Sequence, residues 1–590
     1  MRVAVIGGGP AGLTTLKHLL EAHKYLGGDA IEAKLFESEE GIGGTFLKRM
    51  YEDAELVSSK YLTAFSDFRA REDDPDYLSS ARYLEYLGEY TTAFNLWPFI
   101  HLSTPVTAVR RKGRSHVISY ATQDGKEGSW ICDAVAVCSG LHVTPNIPSI
   151  RGIDKVPKSF HSSLFKSREQ FGSNTTVVVL GTGETAMDIA HLAVTAPTKR
   201  VVICHHEGFS VVAKRTPSPI LFPSLASQPH SPNPPVPVDT YLHASHKWGD
   251  LPGNVFDCLV KTGMWLMTGT SAGYDQWVGG YPSPRWHTSK GEALLPLVAL
   301  ECLIIFTKSS KAMPYISKPY RKDTIFQRLR SSIIQVPIPE THGRQIDMAP
   351  WPSHVDSEGV LHFVDNGRPE YRRMRDAQVR PDVLVFATGY TQRFDFLDST
   401  YPTISDLDVR EVWRRDEPSV GFIGFVRPGF GAIPPLAELQ AQLWVLNLLA
   451  PESLQPLLPQ DEPHYRLGVP ADARIKYGVS HDDYAHQLAV DMNASPSFLD
   501  AVRIGSSRKE WWRLPLVWLL AAEFNTKFRL RGPWKWDGAV DVMSGELWYI
   551  VKRRGGFFKQ IMLSGVPLAV FGSLHLLLWI FMSLFKPSRR

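Results

Sequence analysis

The sequence predicts an α/β protein with two doubly wound, Rossmann-like dinucleotide-binding domains, the second inserted into the first. Two stretches carry the prediction: residues 3–16 read VAVIGGGPAGLTTL, and residues 177–190 read VVVLGTGETAMDIA. Each is an apolar strand, a glycine turn and the start of a helix, and each matches Gly-x-Gly-x-x-Gly/Ala. Apolar segments that end in small residues, at 133–140 and 382–390, predict further buried strands around these two units.

Length and composition bound the class of protein. The 590 residues exceed a single domain, and 44% hydrophobic with 21% charged residues is typical of a globular protein. The net charge is only +4, and no run of Lys and Arg is interleaved with aromatics, so no nucleic-acid partner is expected. The 5 cysteines include no Cys-x-x-Cys pair, which argues against a disulfide framework, a metal site and a dithiol redox centre.

The domain boundaries follow from the order of these segments. We expect residues 1–165 to form the first part of an FAD-binding domain. Residues 166–375 are predicted to form an NADPH-binding domain with a Pro- and Ser-rich insertion at 217–238. The second part of the FAD-binding domain and a C-terminal region are placed at 376–545, before an apolar segment at 561–585.

The first glycine turn (the first cradle, residues 7–12) has the features of a pyrophosphate site. The first glycine makes the tight turn, the second lets the backbone approach the phosphates, and the third lets helix and strand pack, with the helix N-terminus facing the negative charge. The candidate contacts are Gly7, Gly9, Pro10, Ala11 and Gly12. Glu37 ends the next strand, where a carboxylate can accept hydrogen bonds from ribose hydroxyls.

The second glycine turn (the second cradle, residues 181–186) repeats the pattern. Its candidate contacts are Gly181, Thr182, Gly183, Glu184, Thr185 and Ala186. The matching strand ends in His205, His206 and Glu207 rather than in a clear ribose-binding carboxylate. Lys214 and Arg215 follow, and cations there suit the 2′-phosphate of NADPH better than they suit NADH.

Two nucleotide sites in one chain predict a flavin–nicotinamide oxidoreductase in which NADPH passes a hydride to FAD. Disulfide reductases share this layout but need a dithiol, which this sequence lacks. The destination of the electrons stays open from these residues alone.

Six stretches in order resemble the class B flavin-containing monooxygenases and cover most of residues 1–545. They are ESEEGIGGTF, AVCSGLHVTPNIP, FHSSLF, VFATGY, IGFVRPGFGAIPPLAELQAQLW and FRLRGPWKWDGA. The resemblance implies that Gly44, Thr45 and Phe46 approach the flavin and that Glu438 and Gln440 lie near its ring. It also implies cofactor contacts at the following two positions: Val106 and Gly389.

This chain departs from the family pattern at three places. The first half of the family's signature falls on Lys155 and Pro157, although His161 and Phe165 keep its second half. The paired arginines of the nicotinamide domain fall on His206 and Glu207. The family's asparagine beside the flavin falls on Val57, where two neighbours keep the surroundings polar: Ser58 and Lys60.

The resemblance implies a reaction. NADPH reduces FAD, dioxygen adds to the reduced flavin as a hydroperoxide, and a soft nucleophile of a small molecule, an amine nitrogen or a sulfur, attacks the distal oxygen. Two alternatives stay open: a Baeyer–Villiger oxygenase that attacks carbonyls, and a membrane-tethered NADPH oxidase or flavoprotein that no longer oxygenates. Val57 favours the second alternative, because valine has no group that can hydrogen-bond the cofactors.

The C-terminal segment 561–585 is 25 residues without a formal charge, with basic residues on both sides. At roughly 1.5 Å per residue a helix of this length crosses a hydrocarbon core of about 30 Å. A buried core helix and a helix lying in the interface are the alternatives. The resemblance implies an anchor in the endoplasmic reticulum membrane, with the catalytic part facing the cytosol.

Overall fold

The computed structural model describes residues 1–206, parts of 208–241, 308–317, 325–335, 340–429, 431–456, 464–467 and 477–553, together with Ser573 and Leu577. The first part of the chain contains β1 (Arg2–Ile6), α1 (Pro10–Leu26), β2 (Glu32–Phe36), α2 (Thr45–Lys48), α3 (Lys60–Thr63), α4 (Ser80–Ala93), β3 (Ile100–His101), β4 (Val106–Lys112), β5 (Ser115–Ala121), β6 (Glu127–Cys132), β7 (Ala134–Val137) and β8 (Thr144–Pro145).

The central part contains β9 (Lys158–His161), β10 (Thr176–Leu180), α5 (Glu184–Thr195), β11 (Arg200–His205), β12 (Arg215–Thr216), β13 (Ile220–Leu221), β14 (Val236–Pro237), α6 (Met313–Ser317), α7 (Ile325–Ile333), β15 (Ile334–Gln335), β16 (Ile346–Pro350), β17 (Pro352–Val355), β18 (Leu361–Phe363), α8 (Pro369–Met374), β19 (Val383–Phe386) and β20 (Tyr390–Thr391). The last part contains β21 (Val420–Phe422), β22 (Arg427–Pro428), α9 (Ile433–Leu449), β23 (Gly478–Val479), α10 (His481–Asp491), α11 (Phe498–Gly505), α12 (Arg513–Leu520), α13 (Ala539–Val542) and α14 (Trp548–Arg553).

The first unit is built on a five-stranded parallel sheet in the order β21-β7-β1-β2-β3. Because successive side chains of a strand face opposite sides, Val3 and Val5 pack on the layer that holds α1 and α9. Ala4 and Ile6 pack instead against the antiparallel sheet of β4, β5 and β6. Strands buried on both faces are what the continuous apolar runs predict.

The second unit is built on another five-stranded parallel sheet, in the order β16-β11-β10-β19-β9. Val177 and Val179 face α5 and α6, while Val178 and Leu180 face β17, β18 and α8. The first cradle follows β1 and the second follows β10. Each therefore lies at the carboxyl end of the central strand of its sheet, where dinucleotides bind in such sheets.

The sheets correct the two predicted boundaries at 165/166 and 375/376. β9 precedes the first boundary and β19 follows the second, yet both lie in the second sheet, where β19 pairs with β10 and with β9. The second unit therefore extends from β9 to β19. An apolar strand shows from its own residues that it is buried, but not which of two sheets it joins.

The Pro- and Ser-rich composition of the insertion at 217–238 predicts no regular element, and this prediction is wrong at two places. β13 pairs with β15, and β14 pairs with β12, both antiparallel. The residues at 217–219 and 223–235 lie outside the described residues.

Helices α11 to α14 follow α10 in the chain, and their cluster of buried residues includes Ala501, Leu514 and Ile550. Among the residues that the structure describes, none forms a helix long and apolar enough to span a bilayer. The predicted membrane segment, 561–585, lies outside the described residues except at Ser573 and Leu577.

Candidate functional site

The three glycine positions of the first cradle differ in the atoms that an added Cβ would meet. Gly7 has φ +110°, and a Cβ there would lie 2.6 Å from the carbonyl oxygen of Cys138 in the segment after β7. A Cβ at Gly12 would overlap the carbonyl oxygen of Gly7 itself. At Gly9 the nearest atom to an added Cβ is the Cα of Gly44, 3.8 Å away, which is ordinary contact. Packing thus requires Gly7 and Gly12, whereas Gly9 faces space that a pyrophosphate can occupy.

Glu37 follows β2 and lies against the first cradle. Its carboxylate accepts hydrogen bonds from the backbone N–H of Gly8 and, at 2.9 Å, from that of Glu39. The side chain is buried at 5% exposure, so these two bonds fix it beside the turn. Its contact with a ribose stays a prediction, and its position is compatible with one.

The segment after β2 covers the first cradle. Gly43 N–H donates to Gly8 O at 2.9 Å, and a Cβ at Gly44 would lie 3.3 Å from the Cα of Gly9. Thr45 and Phe46 begin α2 directly behind this contact, and the Phe46 ring packs edge-on against Tyr83 with centroids 4.6 Å apart.

Two further candidates, Pro10 and Val106, also lie near the first cradle. Pro10 is the first residue of α1, where its missing N–H costs no helical bond. Val106 begins β4, two residues after Thr104, whose N–H donates to Glu37 O at 2.7 Å.

The second cradle repeats the geometry of the first. Gly181 has φ +115°, and a Cβ there would overlap the carbonyl oxygen of Ala387 after β19. A Cβ at Gly183 would meet nothing within 4 Å. Ala186, in the first turn of α5 beyond Thr185, is 1% exposed and packs in the core as Gly12 does in the first cradle. The second cradle therefore also fits a pyrophosphate.

Glu184 is the first residue of α5, and its side chain reaches over the N-terminus of that helix. Its carboxylate accepts from the N–H of Lys308 at 2.8 and 2.9 Å and from the N–H of Ser309 at 2.7 Å. The segment before α6 therefore lies over the N-terminus of α5, next to the predicted nicotinamide nucleotide.

Gly389 follows β19 with φ +74°. Its carbonyl oxygen accepts from Asn146 N–H at 2.9 Å and lies 3.0 Å from Nε2 of His161. Burial lowers the pKa of His161, which favours a neutral ring that donates this bond. Two chain segments connect the units, one from β8 to β9 and the other from β19 to β20. Gly389 holds these two segments together through its hydrogen bonds.

The two residues predicted to contact the 2′-phosphate, Lys214 and Arg215, are bound to a carboxylate of the first unit. Lys214 Nζ lies 3.0 Å from one carboxylate oxygen of Glu55, and Arg215 lies 3.2 Å from the other. Lys214 also donates to Leu56 O at 3.1 Å and is 7% exposed. These contacts argue against both residues as readers of the phosphate, because each is already paired with Glu55 of the first unit.

The end of β11 carries other groups instead. Nε2 of His205 lies 3.3 Å from a carboxylate oxygen of Glu370, and the His206 ring stacks on Trp351 with centroids 3.9 Å apart. Arg368, at the start of α8, lies 3.3 Å from the same Glu370. Sequence reasoning missed Trp351 and Arg368, because they follow other strands of the sheet and have no motif.

Of Val57, Ser58, Lys60 and Gln440, all predicted near the flavin, the last two are engaged in structural hydrogen bonds. Lys60 Nζ donates to three backbone carbonyls of the following loop, at 2.7 to 2.9 Å, so it caps that loop rather than keeping the pocket polar. Gln440 accepts from Gly424 N–H at 2.8 Å and donates to Tyr484 Oη at 2.8 Å. It therefore positions Gly424, whose added Cβ would lie 3.0 Å from Ala11 of the first cradle.

The other two, Val57 and Ser58, lie beside polar groups of the second unit that follow β14 or precede α6. Ser58 Oγ donates to Gly431 O at 2.6 Å and accepts from Lys308 Nζ at 2.7 Å. The preceding Val57 is half-buried and brings no polar side-chain atom. Ser59 N–H donates to Asp239 Oδ2 at 2.6 Å. Burial raises the pKa of Asp239 and lowers the pKa of Lys308, so each ordinary charge is disfavoured here.

Comparison with known proteins identifies the family. Residues 1–220 match the model of the flavin-binding monooxygenase-like family. The monooxygenase cfoE of Aspergillus candidus is 88% identical over 590 residues, which are 100% of both chains. This chain belongs to the flavin-binding monooxygenase-like family. It is a flavin-dependent monooxygenase that uses FAD and NADPH.

More distant similarities extend over nearly the same length. The N-oxide-forming dimethylaniline monooxygenase 2 of Mus musculus is 25% identical, over 93% of this chain and 92% of the relative. The solved structure of S-allyl-L-cysteine S-oxygenase from Allium sativum is 18% identical, with a TM-score of 0.51 over 94% of this chain and 98% of that one. The last comparison supports the fold of the monooxygenase.

Proposed function

We propose that this monooxygenase transfers one oxygen atom of dioxygen to a soft nucleophile, an amine nitrogen or a sulfur, of a small molecule. The observation that carries the proposal is the pair of cradles in which Gly9 and Gly183 leave room for two pyrophosphates. The N-oxide-forming and S-oxygenating proteins to which the chain is similar support this choice of atom.

Each cradle has a defined task in the proposal. The backbone at Gly9 and the N-terminus of α1 hold the FAD pyrophosphate, and Glu37 accepts from the ribose. The backbone at Gly183 and the N-terminus of α5 hold the NADPH pyrophosphate. The bound flavin, once it has received the hydride, supplies the chemistry that activates dioxygen.

The remaining residues position the substrate and exclude water. Ser58, Lys308 and the carbonyl of Gly431 form a buried hydrogen-bonded group next to Val57. The overall balance is substrate, dioxygen, NADPH and one proton on one side, and oxygenated substrate, water and NADP⁺ on the other. No side chain has to become a covalent intermediate, so the site needs no activated serine or cysteine.

The test uses isotopically labelled dioxygen and the purified FAD-bound enzyme, with panels of tertiary amines, thioethers and ketones. We expect one labelled oxygen in the product for each NADPH consumed. NADPH consumption with equal release of hydrogen peroxide and no labelled product would instead support the oxidase alternative, which Val57 favours. A labelled ester formed from a ketone would support Baeyer–Villiger chemistry.

We further propose that residues 561–585 attach the enzyme to a membrane, with the endoplasmic reticulum as the expected one. The support is the length of the uncharged run and the basic residues on both sides of it. Removing residues 556–590 should release a protein that keeps its flavin, because both cradles lie before α14. Sedimentation of the folded, truncated protein with membranes would contradict the proposal.

A further inference from the structure

A cluster of buried polar side chains lies between the two units and belongs to none of the nucleotide motifs. We call it the Lys308 cluster; its members are 0% to 4% exposed: Ser58, Ser59, Asp239, Lys308, Ser309 and His481. The first unit supplies the two serines of the 57–60 segment. The second unit supplies Asp239, which follows β14, and Lys308 and Ser309, which precede α6. The start of α10 supplies His481.

Hydrogen bonds connect the cluster around the backbone of Gly431. Lys308 Nζ donates to Ser58 Oγ at 2.7 Å and to Gly431 O at 3.0 Å. A Cβ at Gly431 would overlap the His481 ring, so the imidazole lies directly on that backbone. Because the backbone of Lys308 also caps Glu184, the cluster adjoins the second cradle on one side and Val57 on the other.

Several polar atoms of the cluster are buried without a hydrogen-bond partner among the described residues. They are Oγ of Ser59, Oδ1 of Asp239, Oγ of Ser309 and Nε2 of His481. Buried polar atoms are nearly always bonded in folded proteins, so atoms like these indicate a ligand or ordered water. An acceptor, a hydroxyl and an imidazole nitrogen beside an amine together match a group that both donates and accepts a proton.

We propose that the Lys308 cluster binds an ionisable hydroxyl group of the substrate, a phenol or an enol, and that Lys308 takes up its proton. The proposal rests on the proposed oxygenation at this site and narrows its substrates to molecules that carry such a hydroxyl near the nucleophilic atom. The O–H bond breaks and a bond between Nζ and the proton forms, which leaves an oxyanion beside an ammonium group. The same proton returns to the hydroxyl when the product leaves.

The charges around Lys308 explain why a hydroxyl fits better than a charged group. The groups that act on its amine are Asp239, Glu184 and Lys214, while His481 acts on Asp239. A carboxylate substrate would arrive charged and meet the two acids, and an ammonium substrate would meet the two lysines. A hydroxyl enters neutral, with a small desolvation cost, and ionises after burial. Burial lowers the pKa of Lys308, which favours the neutral amine that this step requires.

The test measures binding without turnover, in the full-length FAD-bound enzyme without NADPH. The probe is 4-nitrophenol, whose ionised form has its own absorbance band, and 4-nitroanisole is the matched probe without the proton. We expect bound nitrophenol to ionise at a lower pH than in free solution, and nitroanisole to bind about tenfold more weakly. Equal affinity for the two probes in the wild type would overturn the proposal without any variant.

Variants locate the effect. Lys308→Met should weaken nitrophenol binding about tenfold or more and remove the shift in its ionisation, because the cation that stabilises the oxyanion is gone. Lys311→Met is the matched control, since Lys311 lies on the same segment and is exposed. Flavin content and thermal unfolding of each variant report folding. Unchanged nitrophenol binding in a folded Lys308→Met enzyme would refute the role of Lys308, whereas the isotope experiment tests the oxygenation independently.

Discussion

The two cradles share a backbone geometry and differ in everything that surrounds it. In both, the first glycine has a positive φ against the carbonyl of a neighbouring strand, and the second faces open space. The first cradle is completed by Glu37, which lies at the end of the adjacent strand. The second is completed by Glu184, at the helix start, and by Lys308, more than a hundred residues later in the chain. The turn is thus encoded locally, whereas the groups around it come from long-range contacts.

The largest expected effect distinguishes the packing role of Gly12 from the nucleotide-binding role proposed for Gly9. Gly12→Val should prevent folding, because its Cβ would overlap the backbone of the same turn. Gly9→Val should give folded protein that holds no FAD, because the side chain would occupy only the nucleotide's space. Circular dichroism and flavin absorbance of the two purified variants check this, and a yellow Gly9→Val protein would contradict it.

The same change in the second cradle should affect only one half of the reaction. Gly183→Val is expected to stay yellow and to be reduced by NADPH at least about a hundredfold more slowly, since charged hydrogen bonds contribute about 1.5–3 kcal/mol each. Anaerobic rapid mixing with NADPH measures the rate. Dithionite, which needs no nucleotide site, is the control reductant, and normal reduction by NADPH would refute the assignment of the two cradles.

A smaller effect is expected for Val57→Asn, which places a hydrogen-bonding amide where the family has one. A neutral hydrogen bond contributes about 0.5–1.5 kcal/mol, so the fraction of NADPH that ends as hydrogen peroxide should fall by up to about tenfold. Peroxide and NADPH are measured together during turnover, with Val57→Leu as the control for size. An equal fraction in all three proteins would show that Val57 does not govern coupling.

The smallest expected effect concerns cofactor preference. Lys214→Ala combined with Arg215→Ala should change the KM values for NADPH and NADH alike, because both cations are paired with Glu55. The variant should also unfold at a lower temperature, since the two substitutions remove the buried Lys214 side chain and leave the Glu55 carboxylate without its partners. Glu55→Gln is the matched control. A selective rise in the KM for NADPH would restore both residues as 2′-phosphate readers.

Local patterns in the sequence predicted the two cradles, the parallel strands and the family. They failed where contacts cross long stretches of chain. Nothing near Lys214 in the sequence indicates that Glu55 neutralises it, and β9 and β19 are apolar like the strands of either sheet. Asp239 and Lys308 belong to no motif, so no sequence signal marked them.

Lys308 connects the second cradle with the proposed substrate site. Its backbone N–H donates to Glu184 at the second cradle, and its amine donates to Ser58 and Gly431 on the other side. A ligand that shifts this residue at one site therefore alters the free energy of binding at the other. Thermodynamic reciprocity then fixes the size of the return effect: the factor by which NADPH changes substrate affinity equals the factor by which substrate changes NADPH affinity.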